Sequence, residues 1–231
     1  MYRDIKVVGF DADDTLWVNE PYFRDIEHEF CELLKDYLPV EEISKKLLEI
    51  EIGNIPIYGY GVKGFILSLI ETAIKISNKE VKPEIIEAII NLGKELLNKD
   101  ITLLHHVKST LEQLSNKSLK LIVATKGDLL DQERKLTKSG LEKYFHHIEV
   151  MSDKKESDYK KLINHLDIQP EQFIMIGNSL KSDIVPVINL GCKAIHIPFH
   201  TTWEHEYVSS SELKDKEYNT VESISEILNL F

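Results

Sequence analysis

The alternation of strand and helix patterns after about Thr102 constrains the fold of this chain more than any other feature. Short apolar runs at 119–125 (LKLIVAT) and 172–177 (QFIMIG) alternate with amphipathic stretches such as 107–117. Repeated strand–helix units predict a parallel sheet that is covered by helices on both faces. Residues 5–10 (IKVVGF) form one more buried strand, which we expect to join this sheet. The sequence therefore predicts an α/β fold.

Residues 18–101 carry helical periodicity instead of this alternation. Apolar residues recur there at three- and four-residue steps, and two of the periodic segments begin with Pro, which suits the start of a helix. The predicted helices are 21–38, 41–51, 62–77 and 83–99. We therefore predict two domains: an α/β core made of residues 1–17 and 102–231, and an inserted helical bundle made of residues 18–101.

Composition excludes several classes of partner. The chain of 231 residues has a net charge of -11, whereas nucleic-acid and anionic-membrane surfaces are bound by basic faces. An anionic substrate would need local positive charge at its own site. Cys31 and Cys192 form no CxxC pattern, and neither a signal peptide nor a membrane-spanning run is recognisable. We expect a cytoplasmic protein with reduced thiols that binds neither nucleic acid nor membrane.

Polar residues follow four of the predicted strands. The strands end at Asp11, at Thr125, near 152–155 and at 177–179. In an open α/β sheet, ligands bind at the carboxyl ends of the strands. We therefore expect these residues to converge on one site.

The spacing of Asp11, Asp13 and Thr15 indicates phosphoryl chemistry at that site. One carboxylate can attack a phosphorus atom while the second moves a proton, and the threonine can brace the turn. A charged nucleophile that approaches a phosphate group needs a cation to offset repulsion, and clustered carboxylates bind Mg²⁺. Asp14 is interpreted as a turn residue without a chemical role.

Four motifs in order resemble those of the haloacid dehalogenase superfamily, in its phosphatase branch. DADDT (11–15) is similar to the first motif and Thr125 to the second, Lys154 fits the third with Lys155 as a neighbouring candidate, and IGNSLKSD ends in the acidic Asp183 of the fourth. The resemblance covers roughly residues 1–17 and 102–200. It implies a Rossmann-like three-layer core with a helical cap inserted between motifs one and two, where the helical bundle lies.

The resemblance also implies roles for individual residues. Asp11 would be the nucleophile that forms an aspartyl-phosphate, and Asp13 would protonate the leaving group and then activate water. Thr125 and Lys154 would hold the phosphoryl oxygens. Mg²⁺ would be bound by Asp11, the backbone carbonyl of Asp13, and Asp183. Asn178, where the family commonly has Asp, would also belong to the metal site: its amide oxygen would serve the ion through a water, although one negative charge is lost.

The stretch NIPIYGYGVKGF (54–65), between two predicted cap helices, has two possible interpretations. It is either a turn with packed tyrosines or a loop that covers the site when the cap closes, in which case Tyr58, Tyr60 and Lys63 would contact the substrate. His196, His200 and His205 fit no standard zinc spacing and are interpreted as surface histidines or supporting residues on a loop at the rim of the site.

The function predicted from these features is Mg²⁺-dependent hydrolysis of a small phosphorylated metabolite, that is, a hydrolase acting on phosphoric monoesters. Two alternatives stay open. One is a phosphomutase or another phosphotransferase with the same two aspartates, and the other is a non-catalytic phosphate-binding protein. The second has only Asn178 in its favour, because a scaffold has no need of the proton shuttle at Asp13. The sequence identifies neither the substrate nor the oligomeric state.

Overall fold

The chain divides into two compact units. The computed structural model of the protein describes Tyr2 and residues 4–209, 211–214 and 216–231. One unit combines Met1–Glu20 with Ile101–Phe231, and the other is Pro21–Asp100. The predicted core ends at residue 17 and resumes at residue 102, whereas the divisions in the structure lie at residues 20 and 101. We refer to the two parts as the core unit and the helical unit.

The core unit is built on a parallel sheet of six strands within the described residues. In chain order the strands are β1 (Val7–Phe10), β2 (Lys120–Lys126), β3 (His147–Met151), β4 (Phe173–Gly177), β5 (Lys193–His196) and β6 (Asn219–Thr220). Across the sheet they follow the order β3-β2-β1-β4-β5-β6. The strand order reverses at β1, and ligands bind at such a switch point in open parallel sheets. The predicted α/β fold with a Rossmann-like core is confirmed.

Helices make up most of the remaining regular structure. In chain order they are α1 (Glu20–Leu34), α2 (Val40–Tyr58), α3 (Val62–Ile76), α4 (Pro83–Asn98), α5 (Val107–Ser115), α6 (Leu129–Ser139), α7 (Glu156–His165) and α8 (Val185–Asn189). The helical unit contains α1 to α4, apart from the first residue of α1, and the core unit contains α5 to α8. None of the helices in the described residues combines the length and the apolar character needed to span a bilayer.

The core unit has two hydrophobic cores because the side chains along each strand alternate between the two faces of the sheet. Successive side chains of a strand point to opposite faces of the sheet. Val8 and Phe10 therefore pack on one face with Leu111 of α5, and Val7 packs on the other face with Tyr159 of α7. Both faces are covered, as a parallel sheet requires. The helical unit has a separate core, formed by residues of all four of its helices.

The predicted loop at 54–65 is wrong in its extent. Helix α2 continues to Tyr58 and α3 begins at Val62, so the connection is only Gly59–Gly61. Pro56 lies inside α2 but close to its end, where the missing N–H group removes only one helical hydrogen bond. The φ angles of 74° at Gly59 and 109° at Gly61 suit glycine and produce the sharp reversal.

The end of the core unit also departs from the expected pattern. The segment 181–191, whose periodicity predicts one helix, is a π-helical turn at Leu180–Ile184 followed by the short α8. The amphipathic terminal segment is a 3₁₀ helix at Ile224–Asn229. Strand β6 has no counterpart in the sequence pattern, because two residues are too few to show alternation.

Candidate active site

The candidate site lies at the carboxyl edge of the sheet, at the central strands. Asp11 follows β1 directly, and its N–H group donates to Ile176 O at 2.8 Å, which extends the pairing with β4 by one residue. Thr125 is the second-to-last residue of β2 and is buried, and Asn178 follows β4. The parallel pairing of these three strands thus brings the first, second and fourth motifs to one edge.

A tight turn after β1 presents the two predicted catalytic aspartates. The N–H groups of Thr15 and Leu16 donate to Ala12 O at 3.3 and 2.8 Å. Asp14 has a φ of 62°, in the left-handed region that Asp tolerates better than most residues. This explains why position 14 in the turn suits glycine or a short polar side chain.

The Asp14 side chain links this turn to the first helix. Its two carboxylate oxygens accept the N–H groups of Asn19 at 2.8 Å and Glu20 at 2.9 Å, so it caps the start of α1. Burial raises the pKa of Asp14 to about 8, although these two hydrogen bonds favour the ionised form. Asp14 therefore lies in the turn that it was expected to shape, and its hydrogen bonds give it a structural role.

Lys154 lies between two buried carboxylates. Its Nζ atom is 2.5 Å from Asp11 Oδ1 and 2.6 Å from Asp183 Oδ1. Burial alone would lower the pKa of Lys154, but the two neighbouring carboxylates outweigh that effect and raise it, so the ammonium stays charged. Burial raises the pKa of Asp11 to about 7, although Lys154 opposes this effect; with both carboxyl groups ionised, the cluster carries one net negative charge. Lys155, the alternative third-motif residue, is exposed and pairs with Asp153 instead.

Oxygen atoms converge on the other side of Asp11. Asp11 Oδ2 accepts the Thr15 hydroxyl at 3.1 Å, and the same hydroxyl lies 3.1 Å from the Asn178 side-chain oxygen. This end of the Asn178 amide is also 3.2 Å from Asp11 Oδ2 and 3.3 Å from the Asp13 carbonyl oxygen. The amide could be turned so that its NH₂ group donates to all three oxygens. With its oxygen inward, it completes a set of three oxygen donors with Asp11 and Asp13.

This oxygen set suits a hard divalent cation. Neighbouring ligands in an octahedron with metal–oxygen distances of about 2.1 Å lie about 3 Å apart, close to the separations found here. Over the described ranges, no group of three or more His, Cys, Asp or Glu side chains is arranged to hold a metal ion. The oxygen set depends instead on a backbone carbonyl and an amide. Its chemistry therefore favours Mg²⁺-like ions over zinc, which prefers nitrogen and sulfur ligands.

Asp183 is fixed by the π-helical turn and by Gly177. Its Oδ2 accepts the Ser179 N–H group at 3.0 Å while Oδ1 accepts Lys154. A Cβ atom at position 177 would lie 2.2 Å from Asp183 Oδ2, so only glycine leaves room for the carboxylate. Because both carboxylate oxygens already accept hydrogen bonds, Asp183 contributes its charge to the site through Lys154. Its predicted role as a direct metal ligand stays a prediction.

Three side chains outside the four motifs bind the Asp13 carboxylate. Trp17 Nε1 donates to Oδ1 at 2.7 Å, Lys135 Nζ donates to Oδ1 at 3.0 Å, and Gln132 Nε2 donates to Oδ2 at 2.8 Å. None of these three contacts is evident from the sequence. One signal was present in the sequence: Gln132 lies one turn before the apolar Leu136 on the face of α6 that is buried, where an apolar residue would be usual.

The loop after β5 carries a second charged cluster. Glu206 Oε1 is 2.5 Å from Lys126 Nζ, and Glu206 Oε2 accepts the hydroxyl groups of Ser179 and of Ser182, the latter at 2.6 Å. Burial alone would raise the pKa of Glu206, but Lys126 and the two hydroxyl groups outweigh it and lower the pKa to about 2. This loop is therefore tied to β2 and to the π-helical turn that carries Asp183.

The histidines of this region hydrogen-bond to protein groups. His196 Nε2 lies 3.0 Å from the Asn178 carbonyl oxygen, and His205 Nε2 lies 3.3 Å from Lys181 Nζ. His200 stacks near Phe199, with ring centroids 4.2 Å apart. Of the three, His196 touches a site residue, because it supports the backbone at Asn178.

The predicted substrate contacts belong to the helical unit. Tyr58 is the last residue of α2, Tyr60 lies in the Gly59–Gly61 turn, and Lys63 is in the first turn of α3. Tyr58 is exposed, with 49% of its surface accessible. Their contact with a substrate stays a prediction.

Fold and site together define a class of protein: Rossmann-like folds with a buried aspartate directly after the first strand and a helical unit inserted after that strand in the sequence. The family model of haloacid dehalogenase-like hydrolases matches residues 5–191. The chain belongs to this family.

Individual relatives agree with this assignment. The chain is 26% identical to glyceraldehyde 3-phosphate phosphatase of Methanothermobacter thermautotrophicus over 97% of this chain and 100% of the relative. It is 26% identical to human N-acylneuraminate-9-phosphatase over 82% of this chain and 81% of the relative. The predicted family and the predicted hydrolase acting on phosphoric monoesters are confirmed.

Solved structures show the same fold. A haloacid dehalogenase-like family hydrolase from Xanthomonas campestris superimposes with a TM-score of 0.85, at 34% identity over 96% of this chain and 88% of that chain. A predicted phosphoglycolate phosphatase from Haemophilus somnus has a TM-score of 0.66 at 18% identity, over 98% of each chain. At 18% identity, the similarity to the Haemophilus somnus protein shows a shared fold and nothing more.

Proposed function

We propose that this protein is a Mg²⁺-dependent phosphatase that hydrolyses a small phosphorylated metabolite through an aspartyl-phosphate on Asp11. The observation that carries the proposal is the surroundings of Asp11: one carboxylate oxygen contacts the buried Lys154 ammonium, and the other faces the oxygen set of Asp13 and Asn178. A carboxylate placed between a fixed cation and a cation site is suited to attack an anionic phosphoryl group.

Mg²⁺ would be held by Asp11 Oδ2, the Asp13 carbonyl oxygen and the Asn178 amide oxygen, with Asp183 supplying negative charge nearby. When bound, the ion offsets the charge of the phosphoryl group. Because Asn178 is neutral, we expect this chain to need more Mg²⁺ for half-maximal activity than an Asn178→Asp variant needs.

The first half-reaction transfers the phosphoryl group to Asp11. The Asp11 carboxylate attacks phosphorus, the bond from phosphorus to the ester oxygen breaks, and the departing oxygen takes a proton from Asp13. Lys154 and the Thr125 hydroxyl would hold the phosphoryl oxygens; both side chains are buried, which strengthens their electrostatic effect.

The second half-reaction regenerates the enzyme. Asp13, now ionised, takes a proton from water, and the water oxygen attacks phosphorus. The bond from phosphorus to Asp11 breaks, which restores the carboxylate and releases inorganic phosphate. The same two aspartates thus serve both steps, and Asp13 returns to its protonated form.

The relatives support a substrate class for this protein. The curated relatives act, by their names, on glyceraldehyde 3-phosphate and on N-acylneuraminate 9-phosphate, which are both small phosphate esters. We propose a substrate of this kind and not a phosphoprotein. Efficient dephosphorylation of a folded phosphoprotein, with none of any small ester, would contradict this assignment.

The test is Mg²⁺-dependent turnover of a panel of phosphorylated metabolites and of an activated aryl phosphate. We expect phosphate release that is abolished by chelation and by Asp11→Asn, since the amide is a far weaker nucleophile. Undiminished activity in Asp11→Asn would overturn the mechanism. Transfer of the phosphoryl group to a sugar hydroxyl in place of water would indicate a phosphomutase, and a folded protein without turnover would indicate a binding protein.

A further inference from the structure

Both oxygens of the Asp13 carboxylate accept hydrogen bonds from side chains that lie outside the four motifs. Oδ1 accepts from Trp17 and Lys135, and Oδ2 accepts from Gln132. Trp17 belongs to the turn itself, whereas Gln132 and Lys135 come from α6. A carboxylate with donors on both oxygens has one preferred orientation.

Helix α6 presents its two donors as a unit. Gln132 and Lys135 are three residues apart and therefore lie on the same helical face. The helix start is fixed by the Asp128 side chain, which accepts the Asp131 N–H group at 3.2 Å. The position of α6 after the Thr125 strand thus determines where both donors lie.

Gln132 has no other evident task. It is 3% exposed, and its Nε2 atom donates to Asp13 Oδ2 and to Lys126 O, the second contact at 3.3 Å. Its Oε1 atom is buried without a hydrogen-bond partner among the described residues. A buried amide with one unsatisfied atom costs free energy. Because the fold tolerates this cost, we attribute the burial of Gln132 to the hydrogen bonds that its Nε2 atom donates.

Lys135 is also held in place. Its Nζ atom donates to Asn19 Oδ1 at 2.7 Å and to Asp13 Oδ1, and it lies 3.7 Å from Asp131 Oδ2. Only 14% of its side-chain surface is exposed. The ammonium is therefore held in place beside the Asp13 carboxylate.

We infer that Gln132 and Lys135 are positioning residues for Asp13 in phosphoryl transfer. They hold the Asp13 carboxyl group in the orientation from which it protonates the leaving oxygen. The inference rests on the proposed phosphatase function. It predicts that losing either contact impairs protonation of the leaving group and leaves the attack by Asp11 largely intact.

The test uses the leaving group as a probe. An alkyl phosphate needs a proton on its leaving oxygen, whereas 4-nitrophenyl phosphate releases a stable phenolate and needs little help. The measurement is kcat/KM, which reports the steps up to release of the leaving group and excludes the later attack by water. Gln132→Met and Lys135→Met remove each donor at nearly constant side-chain length, and Asp13→Asn gives the limiting case.

General acid catalysis typically contributes 10²- to 10⁴-fold, so we expect each methionine variant to lose about 10- to 100-fold in kcat/KM for the alkyl ester and no more than about threefold for the aryl ester. Lys138→Met is the matched control, since Lys138 is an exposed lysine one turn further along α6. It should leave both values unchanged. Lys135→Arg, which keeps the charge, should recover part of the alkyl-ester activity.

Three outcomes would overturn the inference. Equal losses on both esters would reveal a merely structural role, and so would an arginine variant as impaired as the methionine variant. Folded Gln132→Met and Lys135→Met proteins with wild-type kcat/KM on both esters would show that neither residue positions Asp13. If the wild-type protein turned over neither ester, the proposed function itself would be refuted. That result is distinct from an active wild-type protein whose variants keep full activity on both esters, which would refute only this inference.

Discussion

Lys154 and Lys155 are neighbours in the sequence with opposite surroundings in the structure. The Lys154 side chain is 1% exposed between two carboxylates, and the Lys155 side chain is 74% exposed. Lys154→Met should destabilise the protein by about 3–5 kcal/mol, since it leaves two buried carboxylates without their cation. It should also lower activity by more than about 100-fold. Urea unfolding and phosphate release measure the two effects.

Lys155→Met is the control for this prediction. It removes the same charge one residue later and should change the free energy of unfolding by no more than about 0.5 kcal/mol. If both variants behaved alike in unfolding and in turnover, the assignment of Lys154 as the third-motif lysine would be wrong.

Gly177 supports the site because its missing side chain leaves room for the Asp183 carboxylate. An alanine there would bring a Cβ atom within 2.2 Å of Asp183 Oδ2, so Asp183 must move away from Lys154. Gly177→Ala should cost about 1–3 kcal/mol of stability, as overpacking does, and at least about tenfold in activity. Gly53→Ala, with nothing within 4 Å of its Cβ, is the control and should be neutral or slightly stabilising. The stability of both variants in thermal unfolding and their rates of phosphate release test this prediction.

At the scale of elements, the strands and the site at their ends are predictable from the sequence, and the contacts from helices are not. The runs at β1, β2 and β4 are short and apolar, which is enough to identify them as buried strands of one parallel sheet whose carboxyl ends share one edge, but not to give their order in it. The contact of Gln132 with Asp13 spans 119 positions of the chain and depends on how α6 packs against the sheet. Sequence periodicity describes each helix separately and carries no information on that packing.

The loop after β5 depends on the Glu206 carboxylate. The pKa of Glu206 is about 2 in the folded protein, below its ordinary value, so the ionised form stabilises the fold above about pH 4.5. That stabilisation is lost as the pH falls from about 4.5 toward 2, and it is on the order of 3 kcal/mol. Glu206→Gln should therefore unfold more easily than wild type at neutral pH, with the difference shrinking in acid.

Glu204→Gln provides the comparison, since Glu204 is exposed on the same loop. Urea midpoints of the three proteins between pH 7 and pH 3 are the measurement. If the difference in urea midpoint between wild type and Glu206→Gln stayed constant over this pH range, the Glu206 carboxylate could not be the source of that difference.

At the scale of the whole molecule, each unit carries one buried cysteine. Cys31 lies in the core of the helical unit, and Cys192 lies in one of the two hydrophobic cores of the core unit, the one that contains Tyr159. Burial raises the pKa of Cys31 to about 11 and that of Cys192 to about 12. Because the thiolate is the reactive form, neither should react with iodoacetamide in the native protein at pH 8.

The two thiols should therefore report the unfolding of each unit separately. A smaller unit buries a smaller fraction of its surface, so the helical unit should unfold first. We expect Cys31 to be alkylated at lower urea concentrations than Cys192, as mapped by mass spectrometry. Alkylation of both thiols over one urea range would mean that the two units unfold together.

The hydrogen bond from Trp17 to Asp13 has a practical consequence. Trp17 is fully buried, and its indole N–H group ends on the carboxyl group proposed to carry the proton. The chain has only one other tryptophan, Trp203, so Trp203→Phe leaves Trp17 as the single tryptophan, in contact with Asp13. The fluorescence of that indole would follow the movement of the Asp13 side chain in real time, which gives the protein a built-in optical reporter of its own turnover.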